Sequence, residues 1–225
     1  MYNKLYKLKW DVTTLWEGCI LASIAHALMM AIAPELSHEN YWDGINYCLQ
    51  NSEGSRGTIT FKDNICIAAF RDDNIVDWEK MSNNTVNQYF QKAPYEILHL
   101  AKEETLQYLL ETINGQVEPI ITSVFWGDHK GLYSPFNHKN MMENGAVLIK
   151  NHIMDISVAM ELWKTEWDMT DKQAYLLKKI YMRKISMPKE KFLISKDELK
   201  IVGLDDEEGL NISQESFKEI GIQLI

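Results

Sequence analysis

Chemistry in this chain would have to come from three cysteines, six histidines and a scatter of carboxylates. Cys19 is the first candidate nucleophile. In Trp16-Glu-Gly-Cys-Ile20 it stands near the start of an alanine-rich apolar stretch. A thiol at a helix N-terminus has its pKa lowered by the helix dipole, and a histidine brought in from elsewhere would stabilise the thiolate. His129, His138 or His152 would be that histidine. Two features oppose this reading. If Thr14 caps the helix, Cys19 falls in its second turn, where the dipole has faded. Glu17 also puts a negative charge nearby, which raises a thiol pKa. A metal site is the second candidate: Asp128, His129, His138, His152 and Asp155 lie close in sequence, and His152 and Asp155 are three apart on a helical pattern. His-Glu-x-x-His is absent, and the segment from His129 to His138 reads as loop, so no metal and no cofactor are expected. Glu53-Gly-Ser-Arg-Gly57 lacks the Gly-Lys-Ser/Thr and the following helix of a phosphate loop. Ser23 and Ser123 lack the Gly-x-Ser-x-Gly setting of a hydrolase serine.

Recognition is better supported than catalysis. Tyr41-Trp-Asp-Gly-Ile-Asn-Tyr47 leads into Gly57-Thr-Ile-Thr-Phe61 and Ala69-Phe-Arg71. Tryptophan, tyrosine and arginine are the residues that most often dominate binding energy. Trp42, Arg56 and Arg71 are therefore candidate contacts. Asp72, Asp73, Asp77 and Glu79 beside Trp78 form a second candidate: like charges around one aromatic anchor, suited to a basic partner.

The overall charge agrees. Twenty-three basic against 32 acidic side chains give −9, which argues against duplex nucleic acid and against an anionic membrane surface. The basic exception is Lys172, Lys178, Lys179, Arg183 and Lys184 on one helical pattern. Cys19, Cys48 and Cys66 are odd in number and widely spaced, with no Cys-x-x-Cys pair, as expected of reduced thiols in a cytoplasmic protein. The basic start Met1–Trp10 alternates and is followed by Asp11 rather than an apolar run, unlike a signal peptide. Gly18 to Pro34 has no Asp, Glu, Lys or Arg. It falls just short of the ~20 residues that span a bilayer, and reads as a helix buried on nearly every side.

These residues must be held by a limited set of elements. Thr14-Leu-Trp-Glu17 reads as a capping box opening a helix to about Ala33, ended by Pro34. Thr58–Phe61 and Ile65–Phe70 flank Lys62-Asp-Asn64 and read as a hairpin. Pro94 to Asn114 has helical spacing, with Asn114-Gly115 as its stop. Val117 to Trp126 is a short strand or buried helix, and Ala146 to Trp163 returns to helical spacing. Thr170-Asp-Lys-Gln173 is a second capping box, for a helix to about Ile185. Ser195–Leu204 echoes Ser213–Ile222, each with a serine at an N-cap and a glycine at a C-cap; Asp205–Glu208 between them reads as a solvated acidic loop. The resulting expectation is a helix-dominant α+β fold: several helices packed with a small antiparallel sheet that includes a hairpin at about 57–70. It forms a single domain over 1–225 with a C-terminal subregion at about 188–225.

Trp42-Asp-Gly44 with Gly57-Thr-Ile-Thr-Phe61 resembles a segment of uncharacterised bacterial proteins, and the chain is similar in style to the acidic immunity proteins that neutralise bacterial toxins. The resemblance covers about thirty residues. It implies a stoichiometric binder without catalysis and transfers no functional residues. The expected function is thus non-catalytic binding of a basic toxin or effector. The alternative is a papain-like cysteine hydrolase using Cys19 with a downstream histidine.

Overall fold

The computed structural model describes residues 4–78, 83–201, 203 and 206–225. Along the chain these form β1 (Tyr6–Lys7), α1 (Val12–Met29), β2 (Asn40–Asp43), β3 (Asn46–Gln50), β4 (Ser55–Lys62) and β5 (Ile65–Asp72). Next come α2 (Asn83–Tyr89), α3 (Tyr95–Glu103), β6 (Leu110–Ile113), β7 (Gln116–Pro119), β8 (Ser123–Asp128) and β9 (Gly131–Ser134). The remainder is α4 (His138–Glu143), α5 (Ile156–Glu166), α6 (Asp171–Ser186), β10 (Phe192–Ile194), α7 (Lys196–Ile201), α8 (Glu207–Glu219) and β11 (Ile222–Leu224). The chain divides into two compact units. One comprises residues up to Thr14 with Ile45–Lys150; the other comprises Leu15–Gly44 with Asn151–Ile225.

The fold is α+β, but the expectation of a helix-dominant protein with a small sheet is wrong. The main sheet has seven antiparallel strands, six of which belong to the first unit in the order β1-β9-β8-β5-β4-β3. Its centre is the hairpin foreseen from the sequence, with β4 and β5 in register from Ser55 opposite Asp72 to Lys62 opposite Ile65. Asp63 takes a left-handed φ of 53° at the two-residue turn. The strands around it were hard to read because they lack alternation: residues 46–49 of β3 and 66–71 of β5 are buried without a break. A strand enclosed on both faces loses its period-two signal. On one face of the sheet, Ile67, Ala69, Val124 and Trp126 pack against Val86 of α2, Phe90, and Ile97, Leu100 and Ala101 of α3. The Phe90 and Trp126 rings stack 5.2 Å apart. On the other face, Phe125 meets Phe70 at 6.0 Å and Trp10 edge-on at 6.1 Å.

The helix expected over Pro94–Asn114 is three elements. α3 stops at Glu103, a 3-10 turn covers Thr105–Leu109, and β6 pairs with β7 through Asn114-Gly115. Both turn residues have positive φ, 52° and 80°. That is the type I′ hairpin geometry for which Asn-Gly is the preferred pair. A left-handed glycine also ends helices, so the dipeptide fits both.

In the second unit α1 is enclosed on all sides: every residue from Gly18 to Met29 is buried. Ile20, Ile24, Ala27, Leu28 and Ala31, expected to be buried, are each at most 3% exposed. By length and composition this helix could also cross a membrane. Its cap differs from expectation. The Thr14 N–H donates to Asp11 Oδ1 at 2.8 Å, so Asp11 rather than Thr14 opens the helix, and these hydrogen bonds hold the Asp11 carboxyl below its ordinary range. Around α1 pack Trp163 of α5, Leu176, Leu177 and Ile180 of α6, Leu199 of α7, Phe217 of α8, and the parallel pair β10–β11. The residues from about 188 onward thus share a core with α1. Two glycines permit close approach. A Cβ on Gly18 would lie 1.8 Å from the His152 carbonyl oxygen, and one on Gly209 would lie 2.4 Å from that of Ala31.

The capping box at α6 is present in both halves: Gln173 N–H donates to Thr170 Oγ1, and Thr170 N–H to Gln173 Oε1. The serine echo is not symmetrical. Ser195 accepts from the Asp197 N–H as a cap, whereas Ser213 is buried inside α8, which is capped by Asp206. Gly203 and Gly221 do take left-handed φ at the two exits. Of the expected acidic loop, Asp205 lies outside the described residues, while Asp206 caps α8 and Glu207 and Glu208 form its first turn.

Candidate functional site

Five of the six residues expected to bind a partner are drawn together in the first unit. β5 ends at Arg71-Asp72, and register places Arg71 directly opposite Arg56 of β4. Like charges facing each other across strands repel, and Asp73 resolves the conflict. Its Oδ1 pairs with Arg71 Nε, and its Oδ2 lies 3.4 Å from Arg56 Nη2. Glu111 of β6 supplies a second carboxylate, 3.1 Å from Arg71 Nη1. The Arg71 hydrogen bond is the main cause holding the Glu111 carboxyl below its ordinary range. Arg71 is 3% exposed, so its charge is buried, paired and fixed in place.

Trp78 closes the arrangement. The Arg71 guanidinium carbon lies 4.9 Å from its ring centroid, a cation–π contact. The indole is nevertheless 42% exposed, and Ile75 beside it is 45% exposed. The loop carrying them is tied down. Asp72 Oδ1 accepts from the Asn74 N–H and its Nδ2, Asn74 Nδ2 donates to the Glu53 carbonyl, and Asp73 N–H donates to the Gly54 carbonyl. Arg56 and Arg71 are balanced by Asp73 and Glu111. Glu53 and Asp72, tied together through Asn74, add negative charge to the same segment. Glu79, named with them from the sequence, lies outside the described residues. Glu111 does not emerge from the sequence because its segment reads as helix; the Asn114-Gly115 pair is compatible with a strand there but does not require one, and the pairing of β6 with β7 decides.

Trp42 belongs to the second unit. Its indole N–H donates to Ser23 Oγ and its backbone N–H to Glu219 Oε2, both at 2.8 Å. There it holds β2 to α1 and α8.

The catalytic candidates fare differently. Cys19 is 0% exposed, inside a helix that begins a turn earlier than the sequence suggested. His152 is 3% exposed, with its ring edge-on to Trp163 at 5.6 Å, and burial pushes its pKa down to about 3. Neither offers surface to a substrate. His129 and His138 are exposed in the first unit, where His138 meets Trp10 edge-on at 5.7 Å. Asp155 caps α5 through the Ser157 N–H, and Asp128 Oδ1 accepts from the Lys130 N–H. Among the described residues, no group of three or more His, Cys, Asp or Glu is arranged to hold a metal. No disulfide joins Cys19, Cys48 and Cys66, all of which are buried. Native protein at pH 6 should therefore alkylate at Cys19 far more slowly than unfolded protein, as read by mass spectrometry; rapid labelling would restore the hydrolase reading.

Comparison of the chain with family models, curated proteins and solved structures gives no match.

Proposed function

We propose that this is a non-catalytic binding protein that engages a basic protein partner through the Trp78 platform. The carrying observation is an exposed indole seated on a buried, doubly paired arginine. A solvated tryptophan loses little entropy on binding when its ring is already held, and Trp and Arg are the residues most enriched at hot spots. Glu53 and Asp72, linked through Asn74 on the same segment, favour a cationic partner and accelerate encounter with it. Stoichiometric neutralisation of a basic toxin or effector is the form of binding that the likeness to immunity proteins suggests.

The test is kinetic. Basic candidate proteins, bacterial toxins first, are passed over the immobilised chain at low and at physiological salt. A 1:1 complex that weakens as salt rises is expected. Trp78→Ala should speed its dissociation at least tenfold, while Asp72→Lys should mainly slow association. Asp73→Lys should do more damage than Asp72→Lys, because Asp73 bridges Arg56 and Arg71. Binding that survives Trp78→Ala unchanged would remove the platform from the interface.

A further inference from the structure

The second unit carries a cleft of about 260 Å³, lined by Trp16 and Ile20 of α1, Trp42 of β2, Lys184 of α6, and Lys191 and Glu219 among others. Its most informative member is Lys184. Amphipathic helix α6 presents its other lysines to solvent, as at Lys179, which pairs with Glu198 at 2.6 Å. Lys184 instead is only 5% exposed. Its Nζ donates to the Pro188 carbonyl at 2.8 Å. An ammonium has three donors, and among the described residues no carboxylate lies within ion-pairing distance of this one. A buried cation without a counter-anion is costly, and burial accordingly lowers its pKa.

Gly221 lines the cleft beside Nζ: its left-handed φ of 76° favours glycine, and a Cβ there would make only ordinary contact with the Lys184 nitrogen, at 3.6 Å. Trp16, Ile20, Trp42 and Ile220 supply its apolar and aromatic lining. The Trp42 indole N–H donates to Ser23 Oγ and its backbone N–H to Glu219 Oε2, so this wall is formed before any ligand arrives. Lys184, Lys189 and Lys191 outnumber Glu190 and Glu219 around the cleft, in a chain whose net charge is −9.

We propose that this cleft binds a small aromatic carboxylate, its ring against Trp16 and Trp42 and its carboxylate on Lys184. One buried donor suits a carboxylate better than a phosphate, which is held by several convergent donors. A volume of about 260 Å³ suits a ring with a short acidic arm.

Phenylacetate is the probe, with inorganic phosphate as the charge-only comparison, both titrated calorimetrically into the full chain. Phenylacetate is expected to bind saturably, and at least tenfold more tightly than phosphate. Lys184→Met keeps an unbranched side chain one atom shorter and removes its charge; it should weaken phenylacetate at least tenfold, whereas Lys179→Met should not change it. Because Lys184→Met alters a buried position, an observation on the unmutated chain accompanies it. Phenylacetate should shift the indole N–H resonances of Trp16 and Trp42 and leave that of Trp163 in place. No saturable binding, equal affinity in Lys184→Met, or phosphate binding as tight as phenylacetate would each overturn the proposal.

Discussion

Replacing Gly18 by alanine is expected to lower the stability of the folded chain by about 3 kcal/mol, the upper end of what overpacking costs. Helix propensity points the other way: glycine to alanine inside a helix gains about 1 kcal/mol when nothing opposes it. What opposes it here is backbone. The new methyl would stand 1.8 Å from the His152 carbonyl oxygen and 2.6 Å from its carbonyl carbon. A flexible side chain could swing aside; a carbonyl can retreat only if the 3-10 turn at Asn151–Ile153 or α1 itself shifts. α1 is buried at every position from Gly18 to Met29, so its movement would disturb contacts on all sides. Urea denaturation of the two proteins decides the matter. A variant as stable as the parent would mean that the approach of α1 to residue 152 is looser than described.

The second large effect is a loss of stability in mild acid. His152 has an ordinary pKa of 6.5 that burial pushes down to about 3 in the folded chain. Between those values the unfolded chain binds a proton that the folded one does not. Stability is therefore full above pH 6.5 and declines as pH falls toward 3, by roughly 1.4 kcal/mol per unit where the difference is complete. From pH 7 to pH 5 the expected decrease is about 2 kcal/mol from this residue. His26 acts in the same direction: burial is the main cause lowering its pKa, against the Leu36 carbonyl that raises it. Carboxylates held low, such as Asp11 and Asp155, contribute only below their ordinary pKa values of about 4. His152→Phe keeps a ring against Trp163 and removes the titration. It should flatten the slope of unfolding free energy between pH 7 and 5. An unchanged slope would show that His152 gains a proton without opening the core.

Local chemistry was legible where one signal had one meaning. The β4–β5 hairpin, the Thr170–Gln173 box and the enclosed character of α1 were all read from residue type and spacing. Asp11 and Thr14 compete for the same cap, and the sequence does not say which carboxylate or hydroxyl reaches the amide; the 2.8 Å bond to Asp11 does. Asn114-Gly115 marks a left-handed backbone in either a helix exit or a hairpin, and only the pairing of Leu110–Ile113 with Gln116–Pro119 decides between them. β3, β5 and β8 are apolar without alternation, because both their faces are buried, and this hid the size of the sheet. At the site, Arg56, Arg71, Asp72, Asp73 and Trp78 were visible as neighbours on one hairpin and the loop after it. Glu111 comes from far along the chain, and Trp42 is drawn into its own unit by Ser23 and Glu219; neither follows from local sequence.

The division of the chain also sets an order of events during synthesis. All of the first unit has been made once Lys150 is added, whereas the second unit is interrupted: its α1 precedes Ile45–Lys150, and α5 to β11, which enclose α1, follow it. Through more than a hundred intervening residues the most apolar helix among the described residues lacks the partners from α5 to β11 that bury it within its own unit. A nascent chain halted near Lys150 would therefore expose a long apolar segment beside a unit whose residues are all present. That interval is when chaperone capture and misassociation would act, and truncation within α6 should send the product to aggregates rather than to a smaller folded protein.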